Sequence, residues 1–144
     1  MLYKFRTMRQ GADKGSLITI GKDRRITRIG QFLRKYKLDE LPQLINILQN
    51  DMSVVGPRPE VEKYVLLYNQ EQRKVLSVKP GLTDLASLEY INENEVLGKA
   101  ENPEKVYIEE IMPRKLELNL IYIEKQSLLF DLRIIFRTIV SIAS

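Results

Sequence analysis

Four stretches of this chain repeat apolar residues at the spacing of one helix face. They are Ile29, Phe32, Leu33, Tyr36; Leu41, Leu44, Ile45, Leu48; Val61, Tyr64, Val65, Tyr68; and Leu128, Leu132, Ile135, Ile139, Ile142. Side chains three, four and seven apart share a face only in a helix, so most of the chain must fold as amphipathic helices. Prolines punctuate them. The spacing predicts a second helix over 39–50, with Asp39 as N-cap and Pro42 tolerated in its first turn. A third opens at Pro59 and runs on toward residue 76, and Pro103 starts another. Residues 116–120 alternate with period two, yet helix formers dominate 104–126, so helix is preferred there, ended or kinked by Pro113. Residues 2–8 and 17–20 read as two strands of a hairpin with a long loop. Lys79-Pro80-Gly81 reads as a turn, and 82–91 contains a short strand bounded by polar residues 92–95. The class is α+β: a mainly helical single domain over 1–144, with a small β-hairpin, short strands and amphipathic surface helices.

With 144 residues, 44% of them hydrophobic, the chain can bury a core. It has no Cys and no His, which removes disulfides, thiol nucleophiles, the usual general base and the commonest zinc ligands. Chemistry must run on oxygen and on Lys or Arg, and a metal would be a hard, oxygen-loving ion such as magnesium. The net charge is +4. Between Lys22 and Lys37 stand seven Lys or Arg against Asp23 alone, more than the whole-chain excess. Such a run meets nucleic acid, anionic lipid or a phosphorylated substrate; a solvated charged face accounts for it equally. The first residues do not read as a secretory signal, and no run of about 18 apolar residues exists.

Two motifs carry chemistry. Leu38-Asp39-Glu40-Leu41-Pro42-Gln43 sets adjacent carboxylates at a helix start, and Asp51-Met52-Ser53-Val54-Val55-Gly56-Pro57-Arg58-Pro59 fixes an arginine between prolines. Acidic residues in a first turn are ordinary caps, and Pro-Arg-Pro is an ordinary rigid turn. Together with the basic run and a further oxygen ligand in Asp51, they suggest phosphoryl transfer, which needs charge neutralisation and positioning more than acid–base machinery. An ionised Asp can attack phosphorus itself. No Walker loop or Rossmann glycine pattern is present.

These blocks resemble those of a known family. Lys4-Phe5-Arg6-Thr7-Met8, Arg25-Ile26-Thr27-Arg28-Ile29-Gly30, the Asp39 and Arg58 motifs, Lys79-Pro80-Gly81-Leu82-Thr83 and residues 127–138 follow one another as in the catalytic domain of bacterial sugar transferases, the monotopic polyprenol-phosphate phosphoglycosyl transferases. The resemblance implies transfer of a sugar-1-phosphate from a nucleotide diphosphosugar, a UDP-sugar, to a polyprenyl phosphate, through a covalent aspartyl-phosphosugar. It implies that Asp39 is the nucleophile and contacts Mg²⁺, that Glu40 supports the metal or the proton handling, and that Arg58 binds phosphate. It places Lys4, Arg6 and Asp131 in the same substrate-binding polar cluster. By its residues alone, Asp131 is a lone charge on an apolar helix, paired with Arg133 or Arg137 or exposed. The implied partners are the two substrates and a membrane surface, with no nucleic acid. The implied setting is the cytoplasmic face of a bacterial inner membrane, in surface polysaccharide or glycoconjugate synthesis.

Members of the family usually carry an apolar helix upstream of the Lys-Phe-Arg-Thr-Met block, and this chain starts almost at that block. Pro80-Gly81-Leu82-Thr83-Asp84-Leu85-Ala86-Ser87 departs from the commoner Pro-Gly-Ile-Thr-Gly-Leu-Ala-Gln, and Asn119 stands where an acidic residue is frequent. Two other functions fit the residues: a nucleic-acid-binding module using residues 22–37, and a non-catalytic adaptor lying on anionic lipid.

Overall fold

The computed structural model of the protein describes residues 1–12 and 23–143. Its architecture is mainly helical with one small sheet, as the apolar spacing requires. Helix α1 (Arg28–Lys35) is capped by Thr27, whose hydroxyl accepts from the Gly30 N–H. A single 3₁₀ turn (Leu38–Glu40) then leads into helix α2 (Gln43–Leu48). Strand β1 (Ser53–Val55) pairs with β2 (Gly81–Thr83) in parallel, Ser53 opposite Gly81 and Val55 opposite Thr83. Between the strands lie the short helix α3 (Glu62–Val65) and a 3₁₀ segment (Gln72–Ser77). Helices α4 (Leu85–Glu89), α5 (Glu93–Lys99), α6 (Pro103–Val106), α7 (Met112–Lys125) and α8 (Leu128–Ala143) follow.

Two apolar clusters hold these elements. The larger gathers Tyr64, Tyr68, Val75, Leu97, Tyr107, Ile111, Met112 and Leu116, packing α3 and the 3₁₀ segment against α5 and α7. The smaller joins Val55 of β1, Tyr122 of α7 and Ile134 of α8. α6 and α7 are joined by a π-helical turn (Tyr107–Ile111) that ends just before Pro113. The wider turn puts Pro113 in the first turn of α7, where a missing N–H costs nothing. The kink expected of this proline is therefore taken up as a π-bulge.

Other expectations are corrected. Residues 2–8 form no strand: Met8 makes one antiparallel bridge to Ile26, and residues 17–20, the other half of the expected hairpin, lie outside the described residues. The second helix begins at Gln43, because the chain first turns through Lys37 in the left-handed region (φ 55°), so Asp39 sits in the 3₁₀ turn and caps nothing. The third starts at Glu62 after an extended Val61 and is interrupted after Val65. Residues 82–91 give the short β2 and then α4, capped by Asp84. The polar residues 92–95 open α5, whose first turn carries Glu93 and Glu95 at its positive end.

The apolar faces are placed least as expected. α2 buries Gln43 and Asn46, while Leu44, Ile45 and Leu48 (86% accessible) face outward. Ile29 (73%) and Phe32 of α1 are exposed, with Tyr36 just after it, as are Leu128, Leu132 and Ile139 of α8, in which Ile134 is buried. Among the described residues no helix is long and apolar enough to cross a membrane.

Candidate active site

Asn46, 1% exposed, explains why α2 turns a polar face inward. Its Oδ1 accepts from the Tyr3 N–H at 2.9 Å, and its Nδ2 donates to the Met1 carbonyl at 2.8 Å. The Phe5 N–H donates to the Asp39 carbonyl at 2.9 Å. The N-terminal segment is thus tied down on both sides of Lys4, which brings the Lys4 ammonium to the carboxylates.

Lys4 Nζ lies 3.1 Å from Asp39 Oδ2 and 3.2 Å from Glu40 Oε1. Arg58 Nη2 donates to the same Glu40 oxygen. Four of the predicted site residues, Lys4, Asp39, Glu40 and Arg58, therefore meet in one constellation. Arg58 is delivered by the tight pairing of β1 and β2. A Cβ on Gly56 would lie 2.7 Å from the Lys79 carbonyl, and one on Gly81 would run into the Gly56 backbone. Only glycines let the two chains approach this closely. The Gly56 N–H donates to the Thr83 carbonyl and the Gly81 N–H to the Pro57 carbonyl, both at 3.0 Å, which pins the loop from both sides.

Burial alone would raise the Glu40 carboxyl. The charge and hydrogen bond of Arg58, then Lys4 and Lys37, outweigh it and hold Glu40 below its ordinary value. Burial likewise works against the charged form of Arg58, and Glu40, Asp84 and Asp39 reverse it, raising the guanidinium further. Lys37 is pulled down, first by desolvation and then by Arg58. Three cations, Lys4, Lys37 and Arg58, thus surround the adjacent carboxylates Asp39 and Glu40, a setting suited to an anionic ligand.

Asp39 Oδ1 is buried and has no hydrogen-bond partner among the described residues. Leaving such an acceptor unmatched costs about 1–3 kcal/mol, which a folded protein tolerates where a ligand supplies the missing contact. Asp39 and Glu40 are the residues that could hold a magnesium ion. Among the described residues there is no cluster of three or more Asp or Glu able to enclose an ion. Asp39 and Glu40 would supply two hard oxygens, and Mg²⁺ characteristically completes its shell with waters and substrate phosphates.

Two cavities meet at this cluster. The larger, about 950 Å³, is lined by Lys4, Asp39, Glu40 and Arg58 and walled by Leu41, Val54, Leu82, Leu88, Ile135 and Ile139. The smaller, about 340 Å³, lies toward α3, α4, α5 and α7. Lys37 and Arg58 line both.

Arg6 is exposed and lines neither cavity. Asp51 is exposed beyond the end of α2 and also lines neither. Asp131 is bonded to neither Arg133 nor Arg137. It accepts from the Tyr122 hydroxyl at 2.8 Å, and that hydroxyl also lies 3.2 Å from the Val55 carbonyl. Asp131 therefore braces β1 three residues before Arg58, and it lines neither cavity. Thr7 of the same N-terminal block is buried and receives Arg34 Nε at 2.9 Å. Asp84 and Asn119, noted in the sequence only as departures, are buried at the smaller cavity. One signal for Asn119 was present: it follows Leu116 by three residues and precedes Tyr122 by three, a polar residue on a core-facing stripe.

The family model for bacterial sugar transferases matches residues 1–144. The chain belongs to the bacterial sugar transferase family. Among its relatives is an uncharacterised sugar transferase, EpsL, of Bacillus subtilis (strain 168), 39% identical over 139 residues that cover 96% of this chain and 60% of the relative. The UDP-glucose:undecaprenyl-phosphate glucose-1-phosphate transferase of Escherichia coli (strain K12) is 36% identical over 96% of this chain and 28% of its own length. The UDP-N-acetylgalactosamine-undecaprenyl-phosphate N-acetylgalactosaminephosphotransferase of Aeromonas hydrophila is 35% identical over 96% and 30%. The chain thus spans less than two thirds of the length of each of these sugar transferases.

Proposed function

We propose that this bacterial sugar transferase domain transfers a sugar-1-phosphate from a nucleoside diphosphosugar, a UDP-sugar, to a polyprenyl phosphate, with Asp39 as nucleophile. The observation that carries the reading is the Asp39 carboxylate: one oxygen against Lys4, the other buried without a partner among the described residues, beside an arginine fixed by β1 and β2. A carboxylate oxygen attacks the phosphorus that bears the sugar. The bond to the nucleoside monophosphate breaks, the monophosphate leaves with the electron pair, and an acyl phosphate joining the Asp39 carboxyl to the sugar phosphate remains. An oxygen of the polyprenyl phosphate then attacks the same phosphorus, returns the Asp39 carboxylate and yields a polyprenyl diphosphosugar.

Lys4 and Arg58 offset the charge that gathers on the phosphoryl oxygens. Glu40, held ionised between them, fixes both cations and offers a second oxygen to a metal. Magnesium bound there would neutralise charge on the diphosphate. Arg6 remains a proposed phosphate contact, reached only if substrate extends toward the N-terminal segment. Asp131 acts through Tyr122 and Val55 on the position of Arg58. The apolar walls of the larger cavity suit the isoprenoid chain of the acceptor. The exposed apolar faces of α1, α2 and α8 suit the membrane that holds that acceptor.

Incubation with Mg²⁺ and a panel of UDP-sugars, followed by intact-mass measurement, tests the nucleophile. The expected result is an added hexose phosphate on the wild-type protein, absent in Asp39→Asn, with transfer in that variant down by at least roughly 10³-fold. Full transfer by Asp39→Asn would remove Asp39 from its role. UDP-glucose and UDP-N-acetylgalactosamine belong in the panel because relatives are named for them.

A further inference from the structure

Three buried side-chain polar atoms lack a partner among the described residues: Asp39 Oδ1, Asp84 Oδ2 and Asn119 Oδ1. All three are acceptors. The first belongs to the reacting group. The other two lie at the smaller cavity, on residues that are 1% and 5% exposed. Asp84 Oδ1 is committed to the Ser87 N–H at 2.8 Å as the cap of α4, so only its second oxygen is free for a ligand.

The rest of the cavity is equally specific. Tyr64, Tyr68, Tyr90 and Tyr107 supply ring surface. Lys115 and Glu93, paired at 2.9 Å, stand in the wall as a fixed donor and acceptor. Tyr107 is committed to Glu60, and burial, then the charge and hydrogen bond of Glu60, raise its hydroxyl well above the ordinary value, so it stays neutral. Arg58 and Lys37 sit at the mouth shared with the larger cavity. A diphosphate on Arg58 therefore has Asp39 on one side and this polar, tyrosine-lined chamber on the other.

We propose that the smaller cavity is the pocket for the donor's sugar, with Asn119 Oδ1 and Asp84 Oδ2 accepting hydrogen bonds from its hydroxyl groups. A uracil ring presents two carbonyl acceptors against one N–H. It would bring acceptors to a chamber whose unmatched atoms are already acceptors. A hexose brings a donor with every hydroxyl and apolar C–H faces for the tyrosine rings. The volume, about 340 Å³, is of the size of a small-ligand site. Position 119 thereby becomes a determinant of which sugar is accepted. This assignment rests on the reaction proposed above.

The test separates the two. Binding of UDP, UMP, UDP-glucose, UDP-N-acetylgalactosamine and monodeoxy analogues of the tightest-binding donor is measured by calorimetry on Asp39→Asn protein, which cannot turn over. The expected result is that at least one monodeoxy donor binds roughly tenfold more weakly than its parent, the loss of a hydrogen bond to a buried acceptor. In Asp39→Asn with Asn119→Ala that discrimination should fall to within about twofold, with UMP affinity unchanged. Asn119→Asp, close in shape, guards against a folding defect and should keep the discrimination or move it to another hydroxyl. If adding Asn119→Ala leaves every discrimination seen in the Asp39→Asn protein in place, or weakens UMP as much as the UDP-sugar, the cavity is not the sugar pocket. Failure of the wild-type protein to transfer any sugar phosphate, with this binding pattern intact, would instead overturn the reaction.

Discussion

Glu40 holds two cations on one oxygen, and the pH response of the fold follows from it. Its carboxyl lies below the ordinary value of 4.5 in the folded protein, because Arg58, Lys4 and Lys37 together outweigh desolvation. As the pH falls, the unfolded chain takes up this proton first. The stabilisation is fully present above the unfolded value and is lost as the pH drops through the lower, folded one. Glu40→Gln should therefore cost on the order of 1–2 kcal/mol near neutral pH, measured by urea unfolding, and the gap to wild type should close as the pH is lowered through the carboxylate range. A gap that stays constant with pH would show that the loss comes from packing and not from charge. Asp39, Glu40 and Arg58 were legible as a set because their motifs are local. The Lys4 contact was not readable from spacing alone, because it spans 36 residues and depends on Asn46, a polar residue among leucines and isoleucines, to hold the N-terminal segment in place.

At the scale of the element, the parallel pair β1–β2 is what aims Arg58. Gly81→Ala would force a Cβ into the Gly56 backbone, and backbone cannot move aside as a flexible side chain can. The expected cost is about 2–3 kcal/mol, read as a lower urea midpoint with unchanged slope. Transfer should fall further than stability, since the loop carrying Arg58 must shift. If Gly81→Ala folds and transfers like wild type, the close approach is not needed to place Arg58. Neither strand was foreseen as a partner of the other. Each is three residues long, and their pairing joins positions 28 apart through a helix and a 3₁₀ segment. The helices were legible by contrast, because a stripe at helical spacing fixes the element. It does not fix which face turns inward. α2 shows the difference: Leu41, Leu44, Ile45 and Leu48 gave the period, and Gln43 and Asn46 occupy the interior.

On the scale of the whole molecule, that inversion is not confined to α2. Ile29 and Phe32 of α1, Leu44, Ile45 and Leu48 of α2, and Leu132, Phe136 and Ile139 of α8 all remain accessible. A monomer in water gains nothing from so many exposed large side chains, whereas an enzyme whose acceptor lies in a bilayer does. On the proposed membrane docking the basic run would add attraction to anionic lipid, since Arg24, Arg28 and Lys35 are exposed beside the apolar residues of α1. Replacing Leu44 and Leu48 together by Glu should lower partitioning onto vesicles of mixed neutral and anionic lipid by more than about tenfold, since each leucine contributes roughly 1.5–3 kcal/mol when its side chain leaves water. Because both side chains already face solvent, the thermal midpoint should move by no more than about 2 °C. Raising the salt should weaken wild-type binding in part only, leaving the apolar share behind. Transfer to a short, water-soluble prenyl phosphate should survive the double substitution, while transfer to a long acceptor embedded in vesicles should fall with the partitioning. Unchanged partitioning in a folded double variant would assign the α2 face to some other partner, and loss of transfer to both acceptors would place Leu44 and Leu48 in service of the site instead of the membrane.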